Sequence, residues 1–158
     1  MVSAPVKVYV TCVVVLYIKF LIATFIQATK TFQAGFRSPE DNGHVLAKGR
    51  PQNYGLSSSK DKEDENARKA KMLEIRWKRV VLNDLEALPL GLIVFGAGLF
   101  VDTHQGVHIG AMIVFTVARI AHTIAYGMWL QPHRSYCWRT GLLAVLTGGV
   151  AALVAAYK

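Results

Sequence analysis

Four long apolar stretches dominate this chain: Val6–Ile26, Val80–Val101, Val107–Trp129 and Tyr136–Tyr157. Each has about the 20 mostly apolar residues that an α-helix needs to cross the hydrocarbon of a bilayer. The pattern predicts an all-α integral membrane four-helix bundle, one domain over residues 1–158, with a polar loop at about 31–75 between the first two helices. The first run is too long for the apolar part of a signal peptide, and no small-residue cleavage site follows it before Lys30, so it is read as a retained span.

The polar stretches divide in two. Phe36–Asp41 reads FRSPED, a turn-like segment with a proline, and Ser57–Lys71 reads SSSKDKEDENARKAK, a polar excursion of low complexity. From about Glu63 the composition favours helix, so the second helix is expected to begin well before its apolar run. The fourth run is rich in Gly and Ala, which lets helices approach closely in lipid.

Composition agrees with the pattern. Of 158 residues 53% are hydrophobic and the mean hydropathy is +0.31, high for a soluble domain of this size. The net charge of +8 would otherwise suggest nucleic acid. Twelve of the eighteen Lys and Arg, however, lie between Lys30 and Arg79, against seven acids. The positive-inside rule places that loop in the cytosol, and the basic excess becomes a matter of topology, with no nucleic-acid partner. The turn at Asp102–Gly106 has no Lys or Arg, whereas the next carries His133 and Arg134, with Arg139 just beyond. Trp77, Trp129 and Trp138 fall near the same cytosolic boundary. Cys12 and Cys137 lie at opposite ends of the spans, and neither a disulfide framework nor a metal site is expected.

Ionisable groups at membrane depth are costly and normally face a bundle interior or a polar cavity. Arg76, Arg79, Asn83 and Glu86 are spaced three, four and three apart, and Arg119, His122 and Tyr126 three and four apart, so each set shares one helix face. Arg134, Ser135 and Trp138 open the fourth helix at its cytosolic mouth. Arg119 lies about ten residues inside its span, too deep to reach water, and needs an anion. Glu86 and Asp84 are the acids at similar depth, and a buried Glu86–Arg119 pair is the expectation. Lys19 is another buried charge, with no partner assigned. Pro89 is expected to bend the second helix beside Asn83 and Glu86. A cation-rich pocket of this kind, opening toward the cytosol, suits a small polyanionic ligand.

These residues also carry a resemblance. FRSPED is similar to F-x-N-P-E-D, RVVLNDLE to R-A-H-x-N-D-L-E, and ARIAHTIAY with the following PHRS to the R-x-x-H-T-x-A-Y and R-S elements of the MAPEG family, membrane-associated proteins in eicosanoid and glutathione metabolism. The match runs in order along nearly the whole chain. It looks most like the branch that holds microsomal glutathione transferase 1 and microsomal prostaglandin E synthase 1.

The resemblance implies a homotrimer in the endoplasmic reticulum or another internal membrane, binding glutathione between subunits near the cytosolic face. It implies catalytic roles for Arg134, Ser135 and Asp41, and glutathione contacts for Lys30, Arg79, Asn83, Glu86, His122, Tyr126, Arg134 and Trp138. Arg119 matches the family's buried arginine near the glutamate. Four departures stand out: Val80–Val81 replace Ala-His, Trp138 stands where a tyrosine is frequent, Arg139 replaces a threonine, and the Ser57–Lys71 excursion is longer than usual.

The activity implied is a glutathione transferase that makes thiolate for attack on apolar electrophiles, with glutathione-dependent peroxidase as an additional activity. An endoperoxide isomerase of the prostaglandin E synthase type is the alternative enzyme, and a non-catalytic membrane scaffold of the same fold is the third reading.

Overall fold

The computed structural model describes residues 2–56 and 65–158. Residues 57–64 of the polar excursion lie outside the described residues. Four α-helices make up the described chain, α1 (Ala4–Ala34), α2 (Glu65–Ala97), α3 (Gln105–Gly127) and α4 (His133–Ala156), with two short 3-10 turns at Pro39–Gly43 and Val45–Ala47. All four helices are long and apolar enough to cross a membrane.

Helices α1 and α2 run past their apolar segments, α1 to Ala34 and α2 back to Glu65, so both carry helix into the polar stretch at about 31–75. Helical hydrogen bonding does not depend on apolarity, and side chains such as Gln27, which donates to Thr31 Oγ1 at 2.8 Å, carry the helix on. α1 ends where Gly35 takes φ +76°, a left-handed conformation that closes helices. α2 continues through Pro89 to Ala97.

The chain forms two compact units. The first comprises Met1–Phe20 and Leu82–Lys158. Its core is Leu16, Leu88, Phe95, Met112 and Phe115, with Cys12, Ala111 and Ala144, and α3 packs along α4. A Cβ added at Gly148 of α4 would stand 2.5 Å from the Phe95 ring, so this position must be glycine for the aromatic core to seat against α4. The outward sides of these helices are lined by Ile93, Val114, Val117, Leu143 and Leu146, each more than two-fifths exposed, as lipid contact requires.

The second unit comprises Leu21–Val81. Its organising residue is Gln52, 2% exposed. Gln52 Nε2 donates to the carbonyls of Phe32 and Arg50, at 2.9 Å each, its Oε1 accepts from the Arg37 N–H, and its own N–H donates to Asn42 Oδ1. His44 stacks on Phe32 with ring centroids 4.5 Å apart, and the Arg37 guanidinium carbon lies 5.1 Å from the same ring.

Candidate functional site

The deepest polar feature of the first unit is an ion cluster on Asp84. Its Oδ1 accepts from Arg119 Nη2 at 2.7 Å, and its Oδ2 pairs with Lys19 Nζ. The side chain of Asp84 has no exposed surface, that of Arg119 has 2% and that of Lys19 10%. Arg119 Nη2 also donates to the carbonyl of Asn83 at 3.0 Å.

This overturns the expected Glu86–Arg119 pair and supplies the partner of Lys19. Asp84 and Glu86 are two residues apart on α2 and so point to opposite sides of it. Glu86 is exposed, whereas Asp84 is enclosed between α1 and α3. An enclosed carboxylate has no water to stabilise it and is stabilised by the cations packed against it.

Above the cluster opens a polar cleft of about 440 Å³, lined by Asn83, His122, Tyr126, Arg134, Ser135, Trp138 and Arg139. α3 contributes His122 and Tyr126, one turn apart, with ring centroids 5.7 Å apart. α4 contributes Arg134 and Ser135 and, four residues later, Trp138 and Arg139, so its first turns present one polar face. The Arg134 guanidinium carbon lies 4.4 Å over the Tyr126 ring, a cation–π contact that fixes the charge at the mouth. Ser135 Oγ accepts from Gln131 Nε2 at 3.2 Å, which leaves its own proton for a ligand.

Next to this cleft is a largely apolar pocket of about 270 Å³ between α2, α3 and α4. Leu90, Phe115, Leu142 and Val145 give it its character, and Glu86 and Arg119 are among its polar members. Asn83 and Trp138 line both cavities. Of the residues expected from the sequence, the structure therefore gathers Asn83, His122, Tyr126, Arg134, Ser135 and Trp138 in the polar cleft. Glu86 falls in the apolar pocket instead.

Arg139, which the sequence offers as a topological charge and as a departure from the family pattern, is also a cleft residue. Its spacing of four from Ser135 was the signal that could have found it.

Lys30, Asp41 and Arg79 belong to the second unit. Lys30 Nζ donates to Gln33 Oε1 at 3.1 Å, and Asp41 Oδ2 accepts from Arg37 Nε at 2.9 Å in an exposed pair. The neighbouring Glu40 carboxyl is held below its ordinary value by its own backbone N–H and the Ser38 hydroxyl. Gln52, which ties this unit together, has no sequence signature.

Chemically, the cleft offers guanidinium groups for carboxylates, a hydroxyl with a free proton, and an apolar chamber alongside. Among the described residues no group of His, Cys, Asp and Glu is placed to hold a metal ion. The model of the MAPEG family matches residues 8–154, nearly the whole chain. The comparison with curated proteins found no match.

Proposed function

The chain belongs to the MAPEG family of multi-pass, four-helix membrane proteins that use glutathione, and on that premise we propose that it is a membrane-bound glutathione transferase of the branch holding microsomal glutathione transferase 1 and microsomal prostaglandin E synthase 1. It works as a homotrimer in the endoplasmic reticulum or another internal membrane, with its site toward the cytosol. The observation that carries this reading is the cleft in which Arg134 and Ser135 stand together beside an apolar pocket.

Glutathione carries two carboxylates, an ammonium and a thiol. Arg134 and Arg139 suit the anionic groups, and Asn83, His122 and Tyr126 supply hydrogen bonds to the peptide. The glutathione contacts of Lys30 and Arg79 and the catalytic role of Asp41 rest on the family resemblance alone.

A free thiol of pKa about 8.5 is only a few per cent ionised at pH 7, and a neighbouring cation increases that fraction. The Arg134 guanidinium and Ser135 hydroxyl stabilise the thiolate as the proton leaves to water. The sulfur then forms a bond to the electrophilic carbon, and the leaving group departs with the electron pair of its broken bond. Apolar electrophiles reach the sulfur from the adjoining pocket, entering from lipid. With a hydroperoxide, the same thiolate attacks oxygen and the O–O bond breaks; a second glutathione completes the reduction to alcohol and water, giving glutathione disulfide.

Purified protein in detergent should develop a thiolate absorbance band near 240 nm on adding glutathione, and should conjugate chlorodinitrobenzene. Product screens with lipid hydroperoxides and an endoperoxide then distinguish transferase, peroxidase and isomerase. A protein with no band and no product is a scaffold, and the proposal is wrong.

A further inference from the structure

The charges beneath the cleft do not balance. Lys19 and Arg119 share one carboxylate, that of Asp84, which leaves the cluster one positive charge in surplus. With side-chain exposures of 10%, 2% and none, little water is present to screen it.

The cluster adjoins the cleft directly. The Arg119 nitrogen that binds Asp84 also donates to the carbonyl of Asn83, a cleft residue. His122, three residues further along α3, lines the cleft and lies within Coulombic reach of Arg119, Asp84, Lys19 and Arg134. Among the described residues, the other charged or titratable groups lining this space are Arg134 and Arg139 from α4, Tyr126 from α3, and Glu86 from α2 in the adjoining pocket. A thiol ionising in the cleft creates a negative charge, which a buried positive surplus favours. Lys19 makes that surplus, for without it Asp84 and Arg119 form a neutral pair.

We infer that Lys19, by keeping the Lys19–Asp84–Arg119 cluster net positive, is a positioning residue for the thiolate: it promotes ionisation of glutathione bound in the cleft without touching it. The inference rests on the glutathione reading above. It goes beyond that reading by assigning part of the activation to a charge on α1, remote from the cleft lining.

The test is a pH titration of the thiolate band of bound glutathione in the solubilised full-length protein, for wild type, Lys19→Gln, Lys19→Arg and Asp84→Asn. A unit charge on the order of 10 Å away at an effective dielectric of about 20 corresponds to roughly one pH unit. Lys19→Gln keeps a donor for Asp84 and preserves its pair with Arg119, so the fold does not depend on this change. Its midpoint should rise by roughly half to one unit. Lys19→Arg should return the wild-type midpoint, and Asp84→Asn, which removes the cluster's negative charge and leaves it more positive, should lower it.

Affinity gives a second readout. Lys19→Gln should weaken glutathione sulfonate, an anionic mimic of the thiolate, by roughly three- to tenfold, while S-methylglutathione changes by less than about twofold. If Asp84→Asn does not assemble, the Lys19 variants and the two analogues decide alone. A wild-type midpoint in Lys19→Gln overturns the inference. So do shifts of Lys19→Gln and Asp84→Asn in the same direction, the mark of a merely structural role. If the wild type shows no thiolate band, the glutathione reading falls and this inference falls with it.

Discussion

Asp84 and Arg119 form an ion pair 2.7 Å long in which neither side chain exposes more than 2% of its surface. It joins α2 to α3, and through Lys19 it joins α1 as well. Removing one partner of such a pair strands the other.

Asp84→Leu leaves two cations without an anion and should destabilise the solubilised protein by about 3 to 5 kcal/mol. Arg119→Leu should cost less, because Lys19 still neutralises Asp84. The double variant should lose less than the sum of the two, and Glu86→Gln should change stability by no more than about 0.5 kcal/mol. Thermal unfolding of the four variants measures this. Additive losses, or a Glu86 effect as large as that of Asp84, would contradict the pairing.

Arg134→Ala should remove most of the thiolate band while leaving the helices folded, since the residue stands at the start of α4 and faces a cavity. Ser135→Ala should be milder, because a neutral donor contributes about half as much as a charge-assisted one. Absorbance titration with glutathione ranks them; a Ser135 variant worse than the Arg134 variant reverses the assignment.

Gln52→Leu keeps roughly the volume but withdraws partners from the carbonyls of Phe32 and Arg50 and from the Arg37 N–H. Each buried polar group left unsatisfied costs about 1 to 3 kcal/mol. Hydrogen exchange should accelerate between residues 32 and 56 while α3 and α4 stay protected. Uniform acceleration through the whole chain would mean that the two units do not open separately.

Gly148→Val drives a branched side chain into the Phe95 ring and should cost about 1 to 3 kcal/mol. Gly110→Ala, where an added Cβ meets nothing within 4 Å, is the control and should be close to neutral. Melting temperatures of the two variants give the comparison.

Much of this was legible in the sequence because lipid imposes a simple rule. Where a long segment must be apolar on its lipid side, the four runs stand out, and a helical spacing of three and four then brings His122 with Tyr126, and Arg134 with Trp138, onto shared faces. The choice between Asp84 and Glu86 was not legible. Both lie at similar depth, and only the rotational setting of α2 against its neighbours decides which is enclosed. Asn83 and Glu86, of the expected stripe, line the cavities, whereas the buried carboxylate of Asp84 sits between them in sequence and pairs with Lys19 and Arg119. Gln52 was invisible for a different reason. Its importance comes from backbone groups 2 to 20 residues away that meet only after the turns have formed.

The cluster on Asp84 also bears on how the chain enters the membrane during synthesis. Taken singly, α1 brings a lysine, α2 an aspartate and α3 an arginine into hydrocarbon, each at about 2.5 to 3.5 kcal/mol on insertion scales. Lys19 and Asp84 neutralise each other only when α1 meets α2, and Arg119 finds the same carboxylate when α3 arrives. The nascent protein thus has an energetic reason to hold α1 in the translocation machinery until α2 emerges and to release the two as a hairpin, so that the order of the helices along the chain becomes an order of biogenesis.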